Sequence, residues 1–178
     1  MRTPPIIVMG VQGSGKSTIG TLLAERLGAR FVDGDNLHPA ENKAVMAAGH
    51  ALQDEHRLPW LHAVGERLAE DPESGIVIAC SALKRGYREL LRGHAPALFT
   101  VDVEGPIELV AARIKGRAHE FMPPGLLQSQ YDTLEVRDDD ERGVTVDLVD
   151  PPNEIVDRII AALAADTEGR DHVADHSR

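Results

Sequence analysis

Cysteine is nearly absent from this chain of 178 residues, where Cys80 stands alone. No intrachain disulfide can form, which fits a reducing compartment. Aromatic residues are scarce at 3%. A core must therefore be assembled from Val, Ile, Leu and Ala, the residues of strands covered on both faces by helices. No apolar run approaches the roughly twenty residues of a membrane span. The run Ile6 to Met9, near the N-terminus, is also too short for a signal-peptide core. The chain is accordingly read as cytoplasmic, with no membrane partner. Basic residues are in deficit: 19 Lys and Arg against 29 Asp and Glu, a net charge of −10. Duplex nucleic acid is thereby disfavoured as a partner, because phosphate binding needs a basic face. A small anionic substrate stays open, since a few local cations reverse the field inside a cleft.

What is present alternates between strand and helix patterns along the whole length. Ile6-Ile7-Val8-Met9 reads as a buried strand stopped by Gly10. Ile19, Leu22, Leu23 and Leu27 follow at helical spacing, with Gly28 as C-cap. Arg30 to Val32 is a second strand running into Asp33-Gly34-Asp35, and a helix spans Pro39 to Ala48. A further helix starts near Arg57 or Pro59, with Asp54 as a possible cap. Ile76 to Cys80 is the clearest strand, followed by a helix over Lys84 to Leu91. Leu98 to Val103 and Val144 to Val149 complete five strands, and Ile155, Ile159, Ile160 and Leu163 stripe a last helix. This order predicts an α/β fold, a parallel five-stranded sheet with helices on both faces. One domain covers residues 1–165, with a lid near 116–125 and a disordered tail over 166–178.

Gly10-Val11-Gln12-Gly13-Ser14-Gly15-Lys16-Ser17 matches G-x-x-x-x-G-K-[ST] between a strand and a helix. Glycines let the backbone wrap closely, so that its N–H groups point at phosphate oxygens. The helix start adds a positive dipole end. Lys16 supplies a cation for the β and γ phosphates, the Ser17 hydroxyl is placed for Mg²⁺, and Thr18 follows within reach of the nucleotide. A GTPase, a motor or a nucleotide sensor shares this loop. The chain, however, lacks an Asn-Lys-x-Asp guanine element and a D-x-x-G after its third strand, and is short for a motor. Asp33 and Asp35 end the second strand, at the sheet edge where α/β folds bind ligands. Two carboxylates there can hold Mg²⁺ and accept a proton from a hydroxyl. The alternative is a plain turn with Asx hydrogen bonds.

Several longer elements carry a family likeness. Asp33-Gly34-Asp35-Asn36-Leu37-His38-Pro39, then Leu52 through Leu61, then Cys80-Ser81-Ala82-Leu83-Lys84 with Tyr87-Arg88, resemble the gluconokinase family. Leu126-Leu127-Gln128-Ser129-Gln130, running on to Leu134-Glu135, is similar too. The resemblance extends from about Ile6 to Leu163. It implies ATP-dependent phosphorylation of gluconate to 6-phosphogluconate, a nucleoside-monophosphate-kinase-like P-loop fold, Mg²⁺ dependence, a closing lid and a homodimer. One departure is Ala118-His119-Glu120-Phe121 in the lid, where family members often read Gly-His-Phe.

On this reading ATP lies on Gly10 to Thr18, with Ser17 and Asp33 toward Mg²⁺ and Asp35 toward the acceptor. Arg57, Lys84 and Arg88 are candidates for the gluconate carboxylate and hydroxyls, against the alternative of solvated helix residues. His38 either contacts substrate or makes a local polar contact, and Trp60 packs beside the cleft. Arg113 and Arg117 are candidates for the nucleotide, Arg117 for the transferring phosphoryl group, and their alternative is an exposed helix end. Asp138 to Glu141 reads as a solvated loop, and Cys80 as a buried strand residue.

Overall fold

Strand sequences such as Ile6-Ile7-Val8-Met9 are apolar at every position, and the computed structural model buries all four side chains. It describes residues 3–70, 75–116 and 124–175. In chain order the strands are β1 Ile6–Met9, β2 Arg30–Asp33, β3 Ile76–Ala79, β4 Phe99–Glu104 and β5 Gly143–Asp147. The helices are α1 Lys16–Leu27, α2 Ala40–Ala47, α3 Asp54–Ala69, α4 Arg85–His94, α5 Ile107–Lys115, α6 Pro124–Thr133 and α7 Pro152–Asp175. A 3-10 turn, Gly34–Leu37, follows β2. The strands form one parallel sheet in the order β2-β3-β1-β4-β5. The chain leaves β1 on one side and later returns on the other, so the carboxyl end of β1 is the switch point where α/β sheets open a crevice.

Alternation along the strands feeds two cores. Ile6, Val8, Val101 and Val103 pack with Leu23 and Ile159 on the side of α1 and α7. Ile7, Met9, Ile76 and Ile78 pack with Trp60, Leu61 and Leu91 on the side of α3 and α4. Each fully buried aliphatic side chain contributes about 2 kcal/mol, which is how a core poor in aromatics holds the sheet. The same packing fixes where each strand ends, and so where the site residues stand.

Three elements differ from the pattern read in the sequence. The third helix begins at Asp54, a full turn before Pro59, which sits inside it. Asp54 and Glu55 favour the helix N-terminus, and the Gln53 carbonyl accepts from the N–H groups of His56 and Arg57. Helix α6 lies in a stretch whose helical nature is not legible, because among its described side chains Leu127 alone is buried in the core, with Tyr131 half-buried against it. The last helix runs on to Asp175, so the disordered tail expected from Asp166 is helical to that point. Asp166 pairs with Arg142 there, and the Thr167 hydroxyl donates to the Leu163 carbonyl. The lid, with Arg117, His119 and Glu120, lies outside the described residues except at its ends, Gly116 and Pro124–Gly125.

Candidate active site

The segment from Gly10 to Gly15 leaves β1 and wraps back before α1. A Cβ at Gly13, where φ is +79°, would stand 2.6 Å from Ile114 Cγ1, so the loop packs on α5 only without a side chain. Gly15 caps α1 with no side-chain acceptor, and no acidic residue lies in the first turn. The N–H groups there are left for an anion. Ser14 Oγ is buried and has no hydrogen-bond partner among the described residues. An orphaned buried hydroxyl inside such a loop fits a ligand oxygen. The Lys16 ammonium lies over the loop and donates to the Val11 carbonyl at 2.9 Å.

Among the described residues four cavities adjoin the loop. One of about 130 Å³ is bounded by Gln12, Lys16, Ser17, Thr18, Asp33 and Asp35. A cleft of about 260 Å³ shares Gln12, Lys16 and Asp35 and adds His38, Arg57 and Trp60. Beyond the α1 N-terminus, about 380 Å³ is enclosed by Gly15, Thr18, Arg113, Leu148, Asp150 and Pro152. Arg113 is held there by donating to the Leu148 carbonyl at 2.7 Å. A larger cavity, about 580 Å³, opens by the carboxyl ends of β4 and β5, but its lining cation Arg158 is paired with Asp150. Size alone does not make it a phosphate site, because Val11 is the one loop residue in its lining and Lys16 is not part of it.

Asp33 and Asp35 are brought to the loop by the end of β2. Asp33 Oδ1 accepts from the Asp35 N–H at 3.0 Å, and Ser17 Oγ donates to Asp33 Oδ2 at 3.3 Å. The Asx turn and the site geometry are therefore the same feature. Ser17 and Asp33 present hard oxygen donors side by side, which fit Mg²⁺. Gly34 makes this possible: a Cβ there would lie 2.5 Å from the Ala79 carbonyl oxygen, against β3. Cys80, next along, is buried, and burial pushes its thiol up to about 12, so it is inert.

The cleft beside His38 and Arg57 has a rigid wall. Trp60 Nε1 donates to the Gly34 carbonyl at 2.8 Å, and its ring stacks on His38 at 4.1 Å between centroids. Asn42 Nδ2 donates to the His56 carbonyl and to Nδ1 of His38, which leaves the proton on the other imidazole nitrogen. Burial, with Arg57 and Lys43 adding to it, lowers His38 to about 4, so the ring is neutral at physiological pH. Arg57 Nε donates to the Leu52 carbonyl at 3.2 Å, and the guanidinium lies 5.8 Å from the Tyr87 ring centroid.

Two expected substrate contacts stand elsewhere. Lys84 binds both Asp54 carboxylate oxygens, at 2.9 and 2.8 Å, and is not part of the cleft lining. Arg88 is buried, and its guanidinium bonds Glu141 at 2.6 and 2.9 Å plus the carbonyls of Ala82, Leu83, Glu135 and Val136. It ties α4 to two loops, and its guanidinium is taken up by these protein partners. Glu141 is buried with it rather than solvated. Burial alone would raise the Glu141 carboxyl, but bonds from Arg88 and the Asp138 N–H hold it below the ordinary value.

Comparison with known proteins finds relatives over most of the chain. The shikimate kinase family profile matches residues 12–163. A thermosensitive gluconokinase of Escherichia coli (strain K12) is 43% identical over 141 residues, 78% of this chain and 75% of that one. A gluconokinase of Arabidopsis thaliana is 41% identical over 174 residues, covering 89% and 92%. The crystal structure of a gluconokinase from Sinorhizobium meliloti 1021 superposes with a TM-score of 0.89 at 44% identity, over 100% of both chains. The chain belongs to the gluconokinase family. Its P-loop kinase fold, with nucleotide bound by the loop, follows from that membership and from the sheet order. In this gluconokinase-family chain the side chain that sequence reasoning missed is Gln130 of α6, which lines the cleft beside His38 and Arg57 and accepts from the Gln12 N–H. A polar residue on the inner side of a helix bearing Leu126, Leu127 and Tyr131 was the available signal.

Proposed function

We propose that the protein transfers the γ-phosphoryl group of ATP to a hydroxyl of gluconate, giving 6-phosphogluconate. One observation carries this reading: Gln12, Lys16 and Asp35 line both the phosphate cavity and the neighbouring cleft, which Arg57 bounds as well. A phosphate donor and an anionic polyol therefore meet at shared residues. ATP lies along Gly10 to Thr18, with its base toward Arg113. Ser17 and Asp33 hold Mg²⁺, which when bound neutralises charge on the phosphates. Lys16 stabilises negative charge on the transferring group. Asp35 orients the acceptor hydroxyl and takes its proton, Arg57 pairs with the gluconate carboxylate, and neutral His38 hydrogen-bonds a hydroxyl of the chain. On the same family reading the protein is cytoplasmic and homodimeric, which light scattering of the purified chain checks.

The test is ADP release from ATP and Mg²⁺ with gluconate, other sugar acids, shikimate and nucleoside monophosphates as acceptors. Gluconate is expected to give the highest kcat/KM. Turnover with shikimate in its place would reassign the acceptor, and turnover with none would reduce the protein to a nucleotide binder.

A further inference from the structure

Backbone N–H groups of a phosphate loop are donors kept for phosphate oxygen, yet in this molecule those of Gly10 and Ser14 meet the carbonyls of Ser81 and Val11, and that of Gln12 meets a side chain from a distant helix. The Gln12 N–H donates to Oε1 of Gln130 at 2.7 Å, across 118 residues of sequence. The contact is not an accident of a loose side chain. Helix α6 is anchored on either side of it, by Leu127 in the core and by the Tyr131 hydroxyl donating to the Gly105 carbonyl at 2.9 Å. Gln130 is thus presented to the loop from a fixed platform.

Position says what the amide oxygen stands in for. At the α1 end of the loop, Gly15 and Thr18 line the cavity beside Arg113. Gln12, with Lys16, does not reach that cavity and borders both the phosphate cavity and the cleft beside His38 and Arg57. The group that passes between the two substrates must occupy that border. Given the reading of the site as an ATP-dependent kinase, on which this inference rests, the border is the place of the γ-phosphate and not of the β-phosphate.

We propose that Gln130 is a positioning residue that senses the γ-phosphate. Its amide oxygen holds the Gln12 N–H while the γ position is empty. An anionic phosphate oxygen accepts from the same N–H more strongly than a neutral amide does, and displaces it. The released side chain then turns its N–H₂ to the phosphoryl oxygens, so one residue on α6 exchanges an acceptor role for a donor role when ATP replaces ADP. No bond is made or broken beyond these hydrogen bonds.

Calorimetric titration of the full-length protein with ADP and with a non-hydrolysable ATP analogue tests this without any acceptor. Gln130→Glu puts a carboxylate beside the γ-phosphate. It is expected to weaken the ATP analogue by about tenfold while ADP stays within about twofold. Gln130→Met, of similar volume and uncharged, serves if the Glu variant does not fold. It is expected to lower kcat at saturating ATP by about tenfold or more with ADP affinity unchanged. A residue that only braces the loop would move ADP and the analogue together. Parallel shifts in either variant, or no shift, overturn the proposal. Failure of gluconate turnover in the unmutated protein would count against the acceptor assignment and leave the nucleotide comparison standing.

Discussion

Asp33 and Asp35 stand two residues apart and serve different neighbours. Asp33 is engaged with Ser17 and with the turn itself, while Asp35 is exposed and borders both cavities. Asp35→Asn keeps the shape and removes the charge that takes the acceptor proton. Its kcat with gluconate should fall by about a hundredfold to ten-thousandfold, with nucleotide affinity nearly unchanged. Retained activity in that variant, with loss in Asp33→Asn, would exchange the two roles. Arg88 is a different kind of residue, a buried cation whose partners are all protein. Arg88→Ala strands Glu141 in the interior and should cost about 3–5 kcal/mol in urea unfolding. Pairing it with Glu141→Leu should recover a large part of the loss. If Arg88→Ala unfolded at the unmutated midpoint and only raised the gluconate KM, Arg88 would be a substrate ligand after all.

At the level of elements, the site depends on how closely β2 and β3 end together. Gly34 lies against the Ala79 carbonyl, and its own carbonyl accepts from Trp60 of α3. Gly34→Ala should push the 3-10 turn away from β3, costing about 1–3 kcal/mol and carrying the two carboxylates out of place. The expected signature is a lower thermal midpoint together with a kcat reduced more than the KM for ATP is raised. An Ala variant with unchanged kcat would mean the turn tolerates the shift. This packing explains what the sequence made legible. Strands β1 and β3 are apolar throughout and each has a glycine at one end, Gly10 and Gly75, and the loop after β1 is constrained by phosphate geometry, so local pattern suffices for them. The start of α3 was expected near Arg57 or Pro59 because Pro59 reads as a helix beginning, whereas the Gln53 carbonyl accepts from the His56 and Arg57 N–H groups and Asp54 is held by Lys84 and Tyr87, so the helix starts at Asp54. The fate of Arg88 was hidden for a different reason. Its partners lie at Glu141 and in the 135–136 segment, and no local spacing announces a contact across 53 residues. Lys84 and Asp54 are joined in the same way across 30 residues.

For the molecule as a whole, two buried groups on opposite parts of the sheet should oppose each other in acid. His38 is lowered from its ordinary 6.5 to about 4 by burial and by Arg57 and Lys43. Between those values the unfolded chain binds the proton more readily than the folded one, so stability rises with pH through the window. The His38 contribution is complete above about pH 6.5 and is lost as pH falls toward 4. Asp102 runs the other way. Burial first, and Glu104 second, raise its carboxyl from 3.8 to about 6, although the Arg137 N–H and the charge of Arg88 favour ionisation. Here the folded chain holds the proton more tightly, so the contribution is complete below about pH 4 and is lost as pH rises to 6. Each shift corresponds to about 3 kcal/mol. The exposed carboxylates on Asp54 and Asp140, lowered by their hydrogen bonds to Lys84 and Arg85, add smaller contributions with the sign of His38. Urea unfolding of the unmutated protein, His38→Asn and Asp102→Asn at pH 4, 5, 6 and 7.5 separates these effects. Relative to the unmutated protein, His38→Asn should gain stability on acidification and Asp102→Asn should gain it on going from pH 4 to 6. If both differences had the same sign, one of the two groups would not titrate as its surroundings require, and its burial in the folded chain would have to be revised.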